Sequence, residues 1–142
     1  MPTDKPHRAT LQLSNPPGLY DPAPNGYSHL AQVAAGARLV FVAGQGGENA
    51  QSQLSSDFAE QVRQALSNLQ CALAAAGAEV SDVAKLTVLI VDHSHERLEI
   101  FGKALHQVWG AAPKPACTLI PVPRLALDGM LFEIDAVAAV AG

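Results

Sequence analysis

The spacing of apolar residues changes several times along the chain, and each change predicts an element. Phe58, Val62, Ala65, Leu66, Leu69, Leu73 and Ala76 recur at intervals of three and four, the stripe of an amphipathic helix. Asp57 can cap its start, with Glu60 three residues on, and Gly77 can close its end. Glu60, Arg63, Gln64 and Gln70 mark its opposite face. A second helix is expected from Ser94 to Trp109, with Leu98, Phe101, Leu105, Val108 and Trp109 as its stripe and Gly110 and Pro113 as its stop. Between the helices, Val83–Val91 is too apolar for an exposed edge and reads as a central strand. Ala116–Val122 reads as a strand that Pro121 confines to an edge or a bend. Leu131–Val140 closes the chain, with Glu133 and Asp135 on one face and Phe132 and Ile134 on the other. Asp128-Gly129 is the expected turn of a last hairpin. Upstream, His29–Ala35 and Arg38–Ala43 flank Gly36-Ala37 and predict a first hairpin. Residues 1–28 are dense in Pro, Asn, Gly and Asp and are expected to form an irregular lead-in packed over the domain.

The order is β-β-α-β-α-β-β, an α+β arrangement of one domain over residues 1–142. One mixed sheet with both helices on one face is the economical packing. The other face of that sheet would carry apolar side chains with nothing over them, so a closed homo-oligomer is expected.

Composition narrows the function classes. Hydrophobic residues make up 49% of the 142, enough for a core without disulfides or metal. The net charge is −4, and the nine Lys and Arg residues are scattered without a run or stripe, which weighs against a nucleic-acid partner. Cys71 and Cys117 form no CxxC pair and read as free thiols of a reducing compartment. Met1–Thr10 is polar, and the longest apolar run, Leu86–Val91, is far short of a bilayer span. A cytoplasmic location without membrane contact is the expectation. Gly44-Gln45-Gly46-Gly47 lacks the Lys-Ser/Thr of a phosphate loop and more simply lets backbone approach a cleft. His93 and His95 have no third ligand at a recognisable spacing, so no metal is expected. His29 is a candidate general base near that cleft.

Five segments resemble one family in one order. Asn25-Gly26-Tyr27-Ser28-His29 is similar to its "PYS" opening, Leu39–Gln45 to "LVFVSGQ", and Gln64–Leu69 with Ala74–Ala78 to "QALENL…AAAG". Asp82–Val88 is similar to "DVVKTTVYL" and Glu133–Ala138 to "EIEAIA". The family is RidA/YjgF, and the likeness covers nearly the whole chain from about residue 15. It implies a chorismate-mutase-like fold (bacillary type), a homotrimer with clefts between subunits, and hydrolysis of enamine or imine intermediates without metal or organic cofactor. Some relatives have also been labelled ribonucleases or translation inhibitors.

The resemblance also implies site residues. The family segment "P-A-R-S/T", whose arginine grips the substrate carboxylate, reads Pro115-Ala116-Cys117-Thr118 here. A thiol replaces a planar, permanently charged fork, so the usual 2-imino acid would bind weakly or not at all. Arg124 matches a different family arginine; seven residues of strand would set it more than ~20 Å from position 117. Glu133 matches the acid that positions or activates the hydrolytic water, with a solvated strand carboxylate as the alternative. Tyr27 matches a cleft wall, with ordinary turn packing as the alternative. Gly44, Gln45 and Thr118 fall in matched cleft segments. Cys117 is a candidate nucleophile or redox thiol, or a small buried apolar filler; Cys71, mid-helix, reads as packing. The resulting function is a hydrolase of an imine, an enamine or a related labile metabolite. The alternatives are a non-catalytic metabolite-binding protein on the same fold and, against the charge, a ribonuclease-like translation inhibitor.

Overall fold

The computed structural model describes residues 9–142; the first eight residues of the lead-in lie outside the described part. Its strands are β1 (Leu11–Ser14), β2 (Leu30–Val33), β3 (Arg38–Gln45), β4 (Val83–Val91), β5 (Ala116–Val122) and β6 (Phe132–Val140). Its helices are α1 (Phe58–Ala75) and α2 (His95–Trp109). No helix among the described residues is long and apolar enough to cross a membrane.

Both helices begin and end where their end residues dictate. The Asp57 carboxylate accepts the Glu60 amide at 3.1 Å, and the Ser94 hydroxyl accepts that of Arg97 at 3.1 Å. Gly77, at φ 74°, ends α1: its amide donates to Ala74 and that of Ala78 to Leu73, closing the last turn in both registers.

The main sheet has the order β3-β6-β4-β5, with β6 antiparallel to β3 and β4, and β5 parallel to β4. β4 is therefore central and β5 an edge, where Pro121 has room. Both helices cover one face. Val62, Leu66, Leu69 and Leu73 of α1, and Phe101, Leu105 and Trp109 of α2, pack on Leu86, Val88, Ile90, Phe132 and Ile134. Phe132 lies between Phe58 and Phe101, with centroids 6.1 and 5.6 Å away.

Three local expectations are corrected. The lead-in is not wholly irregular: β1 pairs with β2, Leu11 opposite Val33 and Ser14 opposite Leu30, as a separate two-stranded sheet. Four alternating residues among turn formers gave too short a period to stand out. The first hairpin does not form either. Gly36, at φ 83°, does turn the chain, but β3 pairs with the C-terminal strand, Arg38 opposite Val140 and Phe41 opposite Val137. A long-range partner of matching length outcompetes the short local one. Asp128-Gly129 likewise makes a turn, with Gly129 at φ 85°, yet β5 and β6 lie on opposite sides of β4 and form no hairpin.

The second face of the main sheet is uncovered in the single chain. Phe41 is 74% exposed, Leu39 48% and Ile120 42%. These side chains give the single chain an apolar surface on one face of its main sheet.

Candidate functional site

The open face can be read in rows, because residues opposite one another on neighbouring strands project together. Phe41, Val137 and Lys85 share one row, Asp135, Thr87 and Thr118 the next, and Glu133, Leu89 and Ile120 the next. The polar groups of this face, Glu133, Asp135, Thr87, Thr118 and Lys85, thus form a band across an apolar surface.

Glu133 sits beside a defect in β3. Val42 pairs with Ala136 and Gln45 with Ile134, so three steps on β3 oppose two on β6 and one residue bulges. Gly44 lies in that bulge. A Cβ there would fall 2.6 Å from Glu133 Oε1, so the glycine leaves the space that the carboxylate occupies. Gln45 is half-buried after the bulge, its amide donating to the Ala43 carbonyl at 3.0 Å.

The loop after the bulge is held by α1. A Cβ on Gly47 would lie 2.6 Å from the Gln61 Cα, so loop backbone and helix are in direct contact. The Asn68 amide donates to the Gly46 and Glu48 carbonyls at 3.0 and 2.8 Å. Gln61 is fully buried: its Nε2 donates to the Ser55 and Gly129 carbonyls at 2.7 and 2.9 Å, and its Oε1 accepts the Leu131 amide at 2.8 Å. One side chain thereby ties two loops to the start of β6, two residues before Glu133. Neither Gln61 nor Asn68 stood out in the sequence, where a glutamine and an asparagine on a helix read as solvent-facing. A groove of about 590 Å³ between this loop and α1 is lined by polar groups such as Asn49, Arg63 and Gln64 and holds none of the candidate residues.

Tyr27 belongs to a segment docked at the start of β5. Ser28 donates through its amide to the Pro115 carbonyl at 3.1 Å and through its hydroxyl to that of Lys114 at 2.6 Å, and bridges in parallel to Ala116. The Tyr27 hydroxyl meets that of Tyr20, and both rings stand edge-on to His29. His29 Nε2 lies 2.8 Å from the Tyr20 carbonyl, which can only accept, so Nε2 carries a proton and donates it there.

Cys117 and Thr118 part company. Cys117, paired with Leu86, packs against the core, whereas exposed Thr118 lies on the open face. Burial pushes the Cys117 thiol up to about 11, only partly offset by the Lys85 ammonium. A thiol held protonated is a poor nucleophile. Cys71 reverses the expectation of packing and is exposed on α1. At pH 8, iodoacetamide is therefore expected to label exposed Cys71 first, with Cys117 much slower because it is buried and held protonated. Mass mapping of the labelled sites checks this, and equal rates would sink it. The same thiol makes stability depend on pH. It ionises at 9.0 when free and at about 11 in the fold, so its contribution is intact below pH 9 and declines as pH rises to 11. Urea unfolding at several pH values should show that decline in the wild type and not in Cys117→Ala.

Arg124 is drawn away from this band. Its guanidinium pairs with Asp128 at 2.9 Å within the β5–β6 loop, with both side chains largely exposed. Of the seven candidates, Glu133 and Gly44 are in contact and Thr118 shares their face. Tyr27 stands by the start of β5, Gln45 follows the bulge, Cys117 turns to the core, and Arg124 stays on its loop. Among the described residues, no group of three His, Cys, Asp or Glu side chains converges as a metal site.

Known proteins resemble this chain in sequence and fold. Residues 20–140 fit the family model described as Endoribonuclease L-PSP. The RutC family protein YjgH of Escherichia coli is 34% identical over 72% of this chain and 76% of its own. A RutC family protein of Pyrococcus horikoshii is 31% identical over 82% of this chain and 90% of its own. Among solved structures, YyfB of Yersinia pestis, a protein of unknown function of the conserved Rid family, superposes with a TM-score of 0.87. It is 32% identical and covers 93% of this chain and 100% of its own. Its match extends to both helices and the mixed sheet, so the α+β fold is the one this family shares. On these grounds the chain belongs to the YjgF/Rid family, the family of the Endoribonuclease L-PSP model.

Proposed function

We propose that this chain is a RidA-like small-molecule hydrolase of an imine, an enamine or a related labile metabolite, working in a cleft between subunits of a homotrimer. The observation that carries the reading is the Glu133 carboxylate, set over Gly44 in the bulge of β3 in a polar band that crosses the apolar open face. A carboxylate so placed can take a proton from water as the water attacks the C=N carbon of an imine, to which an enamine is converted by taking up a proton at carbon; the carboxylic acid so formed returns that proton to the nitrogen, and the tetrahedral adduct expels the neutral amine and leaves a carbonyl. Tyr27 supplies a wall of the cleft. Cys117 faces the core without charge, so the ligand is not gripped at that position as a 2-imino acid would be by an arginine. No metal or cofactor enters this scheme.

The test is hydrolysis of 2-aminoacrylate, generated in place by a serine dehydratase, by the wild type and Cys117→Arg side by side. Activity in the wild type means the arginine is dispensable; activity only in the variant means a cleft retuned to another ligand. Silence in both, with a Cys117→Arg variant that unfolds like the wild type, favours the second reading, a non-catalytic metabolite-binding protein, which the inward-facing Cys117 also supports. A ribonuclease-like role fits poorly with a net charge of −4.

The trimer has its own test. Phe41 is the most exposed large apolar side chain of the open face, and Phe41→Asp places a charge where subunits would meet. Wild-type chain is expected to sediment as a trimer and Phe41→Asp as a monomer with unchanged helix content. A monomeric wild type would overturn the assembly.

A further inference from the structure

We propose that Lys85 and Thr118 form a carboxylate-binding subsite on the open face, one that no group at position 117 contributes to. Lys85 is half-buried near the start of the central strand β4, a costly place for an ammonium without a counter-charge. Among the described residues it pairs with no carboxylate, the one ion pair being Arg124–Asp128. Its Nζ instead donates to Thr118 Oγ1 at 2.7 Å.

That bond has a chemical consequence. The ammonium has three N–H donors and spends one on the hydroxyl. The threonine oxygen is then the acceptor, so its own O–H remains free to donate. The pair presents a positive charge and two kinds of donor side by side and asks for an acceptor with negative charge. Exposed Thr118 leaves the pair open to a small molecule, and Phe41, Val137 and Ile120 give it apolar neighbours on the same face. The field of Lys85 also reaches the neighbouring thiol, where it opposes the effect of burial.

The opposite end of the band sets the ligand's polarity. Asp135 lies in Thr118's row beyond Thr87, two strand spacings or about 9–10 Å away, with Glu133 in the next row. Positive charge at one end and carboxylates at the other suit a small acid that carries a nitrogen group. The subsite rests on the open face being the ligand surface, as the proposed function has it, and specifies how an acid would be held there.

Propionate, titrated into the full chain at constant ionic strength and followed by saturation-transfer NMR, tests the assignment. Wild-type chain is expected to bind it saturably and to ignore propionamide. Lys85→Met should weaken binding about tenfold or more, Thr118→Val by a few-fold, and Lys85→Arg should restore most of it. No saturable binding by the wild type, or equal binding by a folded Lys85→Met, overturns the subsite. Equal displacement by phosphate would also overturn the carboxylate class. The assay needs no turnover. Hydrolysis lost with Lys85-dependent binding kept would therefore sink only the hydrolase reading, and hydrolysis kept without propionate binding would sink only this one.

Discussion

Gln61→Leu is expected to destabilise the fold by about 3 kcal/mol, a drop of roughly 6–12 °C in Tm for a chain of this length. The side chains have similar volume, so the loss isolates hydrogen bonding. Three backbone groups lose their partner at once: the Ser55 and Gly129 carbonyls and the Leu131 amide. Buried groups left unpaired cost far more than the net worth of the bonds they made. Gln61→Glu should be at least as damaging, because a carboxylate would turn an acceptor toward two carbonyls inside a fully buried site. Urea unfolding of the three proteins measures this, and a loss below about 1 kcal/mol would mean that water replaces the amide. The consequence extends to the site, since the same amide anchors β6 just ahead of Glu133.

Glu133→Gln is the larger expected effect on activity. It keeps the shape of the side chain beside Gly44 and removes its capacity to take a proton. Loss of a positioned general base commonly costs about 10²–10⁴ in rate. If the proposed hydrolase reading holds, a fall of that size in kcat/KM, with KM nearly unchanged, is expected on its imine or enamine substrate. Gly44→Ala should imitate it by another route. The added methyl would claim the space 2.6 Å from Oε1 and push the carboxylate aside without altering its chemistry. Unchanged turnover in Glu133→Gln, with unfolding and sedimentation like the wild type, would remove Glu133 from the mechanism.

The helices and the central strand were legible in the sequence because their signals are local. A 3.6-residue stripe, Asp57 as a cap and Gly77 as a stop each act within a few residues, and the fold obeys all of them. The alternation that turns Glu133 and Asp135 away from Phe132 and Ile134 is local in the same sense. The Gly36 and Gly129 turns were equally visible, yet both flank strands that pair elsewhere, because a turn does not specify the partner when a longer apolar strand is available. Only the tertiary structure decided that β3 would join the C-terminal strand and bulge at Gly44, which is what brings that glycine beneath Glu133. Which way Cys117 faces was likewise set by its register with Leu86 on a strand some thirty residues away. Gln61 and Lys85 acquired their importance in the same manner: a polar side chain's role depends on which backbone and hydroxyl groups the fold delivers to it, and those come from segments far along the chain.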